Sequence, residues 1–251
     1  MRELTSKVSG VRLKETLIKD KGCDDDGLLQ TYVKRSAQWL AKLHSSIVSA
    51  TTTQLTHVNI RSMQLEEKKL NEWCRHLSRL YPDFAARIHN ILSCIVGMEK
   101  SVKPKCNTLI HGGFHPGNIF VDETDLTVID FDRSCIFDPG IDLSYFISKL
   151  RTIKRKYNLS LLDTEVLQKC FLDEYDYYYN NNSRISGMSK ELLLSDRLEI
   201  FLARSYLEHL HSRYCQHLHS RYRTCYERHK PDAIDFQYWV NKAEECLQTH
   251  I

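Results

Sequence analysis

No apolar run in the 251 residues approaches the roughly 18 needed to cross a bilayer. The N-terminus, MRELTSKVSG, has no apolar core of the kind a secretory signal carries. None of the nine cysteines forms a C-x-x-C pair, and they are scattered from Cys23 to Cys246. That pattern argues against a disulfide framework or a zinc ribbon and for reduced thiols. Charge of one sign is also lacking: the formal net charge is +3, too small to imply a nucleic-acid partner by itself. Glycine is sparse, and no glycine-rich stretch stands before a helical segment. The expectation is a soluble, cytoplasmic protein of ordinary globular composition.

Helical periodicity is what the chain has in quantity. Leu29, Val33, Ala37, Leu40, Leu43 and Ile47 recur at helical spacing after Asp24-Asp25-Asp26-Gly27, whose carboxylates suit a helix start. A second helix is predicted over 62–80, on Leu65, Leu70, Trp73, Leu77 and Leu80, and a third from Pro82 to about Gly97. Further helical patterns cover 142–157, 163–179, 189–222 with a break, and 232–249. Between them lie short β-prone runs at 108–110, 119–121 and 126–129. The last two are joined by the acidic turn Asp122–Asp125 and predict a hairpin. HLHSRYCQ followed by HLHSRYRT is an eight-residue tandem copy, too short for a solenoid repeat.

The centre of the chain carries the chemistry. Asp130 ends an apolar strand, where a carboxylate is costly unless it faces a cleft or a cation. Asn118 begins the preceding strand and offers an amide oxygen. Magnesium takes hard oxygen ligands, one or two carboxylates plus phosphate and water. In kinase-type phosphoryl transfer a catalytic-loop Asn and a strand-end Asp hold that metal.

HGGFHPGNIFV, VIDFDRS and DPGIDLSYF together resemble the aminoglycoside phosphotransferase and choline kinase-like family, whose motif runs H-G-D-x-x-x-x-N, I-D-F, D-P-x-x-D-L. AQWLAKLHSS and FLDEYDYYY resemble helices of the same core. The resemblance implies a helix-rich α+β fold, the C-terminal lobe of the protein-kinase-like fold with a short central β-hairpin. It implies ATP and Mg²⁺ as cofactors, with Asn118 and Asp130 in nucleotide and metal binding. His111 would brace the loop, and Asp142 would be a buried carboxylate holding it. The catalytic Asp of the motif falls on Gly113. His115 is a candidate replacement base, and Asp132 a candidate second metal ligand or displaced base.

The segment 4–17 resembles the family's interlobe hinge, so 1–22 reads as a hinge remnant without an N-lobe and 23–251 as a single kinase-like C-lobe domain. The function implied is ATP- and Mg²⁺-dependent phosphoryl transfer to a small-molecule hydroxyl. Gly113 and the missing N-lobe weigh against activity of the isolated chain. Two alternatives stand beside it: a catalytically dead pseudokinase or remnant acting as a binding module, and half of a split enzyme with the N-lobe on a partner chain. The acceptor stays open among aminoglycoside, choline, homoserine and sugar.

Three blander features complete the reading. His111, His115 and Asp130 imitate a zinc set, but the glycines and Pro116 between them forbid the helix such spacing needs. His209, His211, His217 and His219, with Arg213, Arg221, Arg223 and Arg228 among tyrosines, read as a solvated helical face rather than a metal or nucleic-acid site. Tyr175 and Tyr177–Tyr179 beside Asp173, Glu174 and Asp176 offer a pocket for a cationic acceptor, or a half-buried helix surface.

Overall fold

The computed structural model describes residues 10–19, 26–46, 62–102, 108–159, 162–182, 195–215 and 233–248. Packing groups the chain into two compact units, one from 1–59 and 107–192, the other from 60–106 and 193–251.

The first unit opens with β1 (Val11–Arg12) and α1 (Leu13–Lys19), then α2 (Asp26–Ser45). Leu29, Val33, Ala37 and Leu40 are buried along one face of α2, as the 3.6-residue period requires. Next come β2 (Thr108–Ile110), β3 (Ile119–Val121), β4 (Leu126–Val128) and β5 (Cys135–Phe137), then α5 (Gly140–Lys156) and α6 (Thr164–Asn182). β3 and β4 form the expected hairpin, with Ile119 opposite Val128 and Val121 opposite Leu126. Its turn is closed by Asp122, whose Oδ1 accepts the Thr124 and Asp125 N–H groups at 3.0 and 2.6 Å. Arg35 of α2 donates to the Asp122 carbonyl at 3.0 Å and so ties the turn to that helix.

The structure adds pairings to the single hairpin. β1 joins β3 to make an antiparallel sheet of order β1-β3-β4. β5, unforeseen in the sequence, pairs with β2, setting Ile110 opposite Cys135. α5 starts two residues earlier than expected, because Asp138 Oδ1 accepts the Gly140 N–H at 2.8 Å and Pro139 takes the N-cap position.

The second unit is helical. It contains α3 (Met63–Leu80), a 3₁₀ turn (Pro82–Phe84), α4 (Ala85–Val102), α7 (Ser195–Cys215) and α8 (Ala233–Gln248). Ser62 caps α3 by accepting the Leu65 N–H at 3.2 Å. Pro82 opens the 3₁₀ turn instead of the α-helix itself, which follows directly and runs past Gly97. Leu65 breaks the predicted stripe and is 48% exposed, whereas Leu70 and Leu77 are buried.

Arg204 of α7 is buried between Glu66 and Glu99, donating to the carboxylate of each. His211 of the histidine tract stacks with Trp73 and with His76, and His209 lies against Trp239. These two histidines are packing residues, which corrects the purely solvated reading of that face. His217, His219, Arg221, Arg223 and Arg228 lie outside the described residues.

Candidate functional site

The hairpin register builds the site. Since Ile119 faces Val128, Asn118 and Ile129 are next at the open end, where the Ile129 N–H reaches the Asn118 carbonyl at 3.0 Å. Asp130 follows immediately. Asn118 Nδ2 donates to Asp130 Oδ2 at 3.3 Å and to the Gly113 carbonyl at 3.1 Å. Two of the three residues read as metal ligands, Asn118 and Asp130, therefore converge. Asp130 is exposed, and its backbone is left-handed at φ 68°. Asp tolerates that region better than most residues, yet the conformation still costs about 1 kcal/mol, and such strain concentrates at functional sites.

The loop between β2 and β3 is held by a buried carboxylate. Asp142, on the first turn of α5, accepts the His111 N–H at 2.7 Å and the Gly112 N–H at 2.8 Å. Its Oδ2 also meets His44 Nε2 at 3.1 Å, and His44 Nδ1 meets the Tyr175 hydroxyl at 2.8 Å. A neutral imidazole satisfies both, with Nε2–H donating to Asp142 and Nδ1 accepting the phenol. Burial pushes the Tyr175 phenol well above its ordinary value, so it stays protonated to donate. The α2 helix, the loop, α5 and α6 are thus joined by one polar chain inside a wall of aromatic rings. Trp39 stacks on Phe114 at 5.7 Å, and Phe146 on Phe171 at 4.1 Å.

His111 has both ring nitrogens engaged by backbone. Nδ1 accepts the Gly113 N–H at 3.2 Å, and Nε2 lies 3.0 Å from the Ile129 carbonyl, to which it donates. The ring is a bracket between the loop and the strand end and has no nitrogen left for a metal or substrate. The zinc alternative fails on this, and among the described residues no group of three His, Cys, Asp or Glu could hold a metal ion.

His115 is mostly buried, and its Nδ1 accepts the Gly117 N–H at 2.9 Å. The neutral ring then carries its proton on Nε2. Burial first, then the Lys149 charge, pull its pKa down to about 4. A group so acidic, with its basic nitrogen already used, is poorly placed to take a proton from an acceptor hydroxyl. Asp132 is exposed, and among the described residues no hydrogen bond or ion pair joins it to Asn118 or Asp130.

The two glycines after His111 differ in kind. Gly112 has φ 75°, and a Cβ there would fall 2.2 Å from the Arg133 carbonyl oxygen, so only glycine fits. A Cβ on Gly113 would meet nothing nearer than His111 Nδ1 at 3.7 Å. That position has room for a side chain and no backbone reason to be glycine.

Magnesium fits the donor set. The Asn118 amide nitrogen is taken by the Gly113 carbonyl, which leaves the amide oxygen as its remaining donor, beside an exposed carboxylate of Asp130. Two hard oxygens plus phosphate and water are what this ion accepts.

Sequence reasoning named Asn118, Asp130, His111 and Asp142 and missed His44. His44 left a signal: it continues the apolar stripe Ala37, Leu40 by one turn, where a polar residue needs a buried partner. The tyrosines of α6 do not form one pocket. Tyr175 is 1% exposed and Tyr177 64% exposed, so they face opposite ways.

A loop Asn and a strand-end Asp in contact, over a loop pinned by a buried Asp, match the metal-and-phosphate side of kinase-type transferases. The model of the "Phosphotransferase enzyme family" matches residues 15–164, more than half the chain, and the chain belongs to that family. No curated protein sequence matches it.

Among solved structures it is similar to a glucosamine kinase in complex with glucosamine, ADP and inorganic phosphate (TM-score 0.61, 13% identity, 96% of this chain and 57% of that one). It is also similar to a choline kinase from Cryptosporidium parvum Iowa II (TM-score 0.58, 13% identity, 96% of this chain and 70% of that one). A third is the GDP complex of an aminoglycoside 2′-phosphotransferase-IIIa mutant (TM-score 0.53, 16% identity, 97% and 67%). These likenesses establish the fold, a C-lobe-like, helix-rich α+β architecture. The chain spans 54%, 59% and 57% of the glucosamine kinase chains it matches. Among the described residues no helix is long and apolar enough to cross a membrane.

Proposed function

We propose that this chain carries the metal-and-phosphate side of an ATP- and Mg²⁺-dependent phosphotransferase acting on a small-molecule hydroxyl. The observation that carries the reading is the meeting of Asn118 and Asp130 at 3.3 Å at the open end of the hairpin. Asn118 would give its amide oxygen and Asp130 its carboxylate to the ion. Bound there, Mg²⁺ would neutralise charge on the phosphate oxygens of the nucleotide. His111, Asp142 and His44 keep the loop backbone fixed under that site. ADP in a structurally similar kinase supports nucleotide use.

A second reading is favoured by one specific observation. Gly113 supplies no carboxylate, and His115 has its Nδ1 occupied. The chain would then bind Mg²⁺–ATP and transfer phosphoryl slowly or not at all.

Calorimetry of Mg²⁺–ATP binding tests the first reading: the chain binds, and Asp130→Asn or Asn118→Ala weakens binding tenfold or more. Equal affinity in all three would remove it. Gly113→Asp separates the two readings. The added Cβ makes only ordinary contacts, so the fold should persist. Restoring a positioned base is worth about 10²–10⁴-fold in rate. A gain of that order means that the loop carboxylate was the missing part. An unchanged high rate means that another group already does its work.

A further inference from the structure

One tryptophan links the loop to the strand end. Trp39 stands on α2, half-buried. Its ring stacks on Phe114, the residue after Gly113, with centroids 5.7 Å apart and planes 6° from parallel. It meets His111 edge-on at 6.5 Å and Phe131, the residue after Asp130, at 6.1 Å. Phe131 in turn lies 4.6 Å from the His111 ring. Trp39 therefore packs both against the loop that leads to Asn118 and against the chain that leaves Asp130.

The second contact matters because Asp130 is held in a conformation it does not prefer. Its φ of 68° is left-handed, where a relaxed aspartate spends little time. The chain before it is fixed. The Ile129 N–H donates to the Asn118 carbonyl at 3.0 Å, and the Ile129 carbonyl accepts from His111 Nε2 at 3.0 Å. The chain after it is fixed at the Phe131 carbonyl, which accepts the Ser134 N–H at 2.9 Å, and at the Phe131 ring. That ring is 45% exposed, so burial alone orients it weakly, and its contacts with His111 and Trp39 set its place. The His111 ring is itself locked by two backbone bonds. Trp39 supplies the other ring contact from a separate helix.

We propose that Trp39 is a positioning residue: through Phe131 it holds Asp130 in the left-handed conformation that keeps its carboxylate beside Asn118. The proposal rests on the phosphotransferase reading above and adds a residue to the metal side of that site. Trp39 acts through Phe131 and is not itself a ligand of the ion. Its stack on Phe114 gives the loop and Asp130 a shared support. The quantity it sets is the fraction of chains in which Asp130 and Asn118 are together before the ion arrives, and apparent affinity scales with that fraction. An aromatic pair shifts such an equilibrium about three- to tenfold.

The test compares leucine variants, which keep apolar bulk and lose the ring, with variants that keep a ring. Trp39→Leu and Phe131→Leu should each weaken Mg²⁺–ATP binding about three- to tenfold by calorimetry, at a temperature where dichroism shows the full chain folded. A second readout needs no ligand. The Asp130 backbone couplings in nuclear magnetic resonance report its φ and are blind to ring currents. In the native chain they should show the left-handed conformer, and in both leucine variants an average with relaxed ones. Trp39→Phe and Phe131→Tyr should stay within about twofold of the native affinity, since each keeps an aromatic pair. The double leucine variant should lose no more than Trp39→Leu alone, because both changes break one contact. Phe201→Leu, in the core of the second unit, should lower the melting temperature and leave both readouts unchanged.

Leucine variants that bind Mg²⁺–ATP as the native chain does and keep its Asp130 couplings overturn the proposal. A loss that Phe201→Leu reproduces makes Trp39 important for stability alone and overturns it too. Losses that multiply in the double variant show that Phe131 does not transmit the effect, with the same consequence. If the native chain does not bind Mg²⁺–ATP, the phosphotransferase reading fails by itself. The Asp130 couplings then still decide the positioning claim: it stands if the leucine variants change them and the ring-keeping variants do not, and falls otherwise.

Discussion

Replacing Asp142 with asparagine changes one oxygen to a nitrogen at the point where the loop is held. In the native structure the carboxylate takes two backbone N–H groups, from His111 at 2.7 Å and Gly112 at 2.8 Å, and faces His44 Nε2 at 3.1 Å. All of these partners are buried. Asparagine keeps one acceptor oxygen. Its amide group must then face either a backbone N–H or the imidazole N–H, donor against donor. A buried donor left without an acceptor costs about 1–3 kcal/mol, and the remaining bonds lose their charge assistance, about 1 kcal/mol more. The sum is about 2–4 kcal/mol, a large share of the 5–15 kcal/mol that a typical domain has.

Amide hydrogen exchange isolates the effect, because His111 and Gly112 report on this loop directly. Their protection should fall by about one and a half to three orders of magnitude, as 1.4 kcal/mol is tenfold. His44→Gln should cost less, about 1–2 kcal/mol, since Asp142 keeps both backbone donors. If Asp142→Asn changes the exchange of these two amides by less than about tenfold, the carboxylate is not what holds the loop. A preformed phosphate site would then lose its support.

Arg204→Ala leaves Glu66 and Glu99 facing each other in the second unit without the cation that both use. Breaking a buried pair in this way costs about 3–5 kcal/mol, and urea denaturation at pH 7 should show it. An effect below 1 kcal/mol would mean that the carboxylates simply take up protons, a response that the raised pKa of Glu99 already leans toward through burial. His115 predicts acid sensitivity. Its folded pKa is about 4, below the ordinary 6.5, so the unfolded chain binds more protons between those values. Stability therefore falls as pH falls, by about 2 kcal/mol from pH 7 to pH 5. His115→Gln should flatten that slope, and an unchanged slope would put the sensitivity elsewhere. Burial pushes the Cys74 thiol up to about 12, so the native chain should leave Cys74 unalkylated by iodoacetamide at pH 8. Peptide mass spectrometry showing rapid modification without denaturant would contradict its burial.

The helices were readable because each repeats its apolar residues over several turns, and the hairpin because alternation and an acidic turn are local signals. β5 was not. Cys135–Phe137 is three residues long and fully buried, so it has neither alternation nor length, and only its pairing with β2 makes it a strand. The 3₁₀ turn at Pro82 differs from prediction for a local reason: the first helical turn tightened around the proline. Division into two units could not be read either, since each unit combines two separated stretches of chain.

The candidate site divides along the same line: the Asn118–Asp130 pair was legible in the sequence and the cluster around Tyr145 was not. Asn118 and Asp130 are twelve residues apart, and the register of one hairpin fixes their meeting, so a linear motif carries the geometry. Lys149 and Arg133 flank Tyr145 only after α5 has docked beside the loop, and each alone reads as an ordinary surface cation. A linear motif therefore carries contacts that the register of one hairpin fixes, whereas contacts that join separate elements, such as those around Tyr145, exist only once the chain has folded.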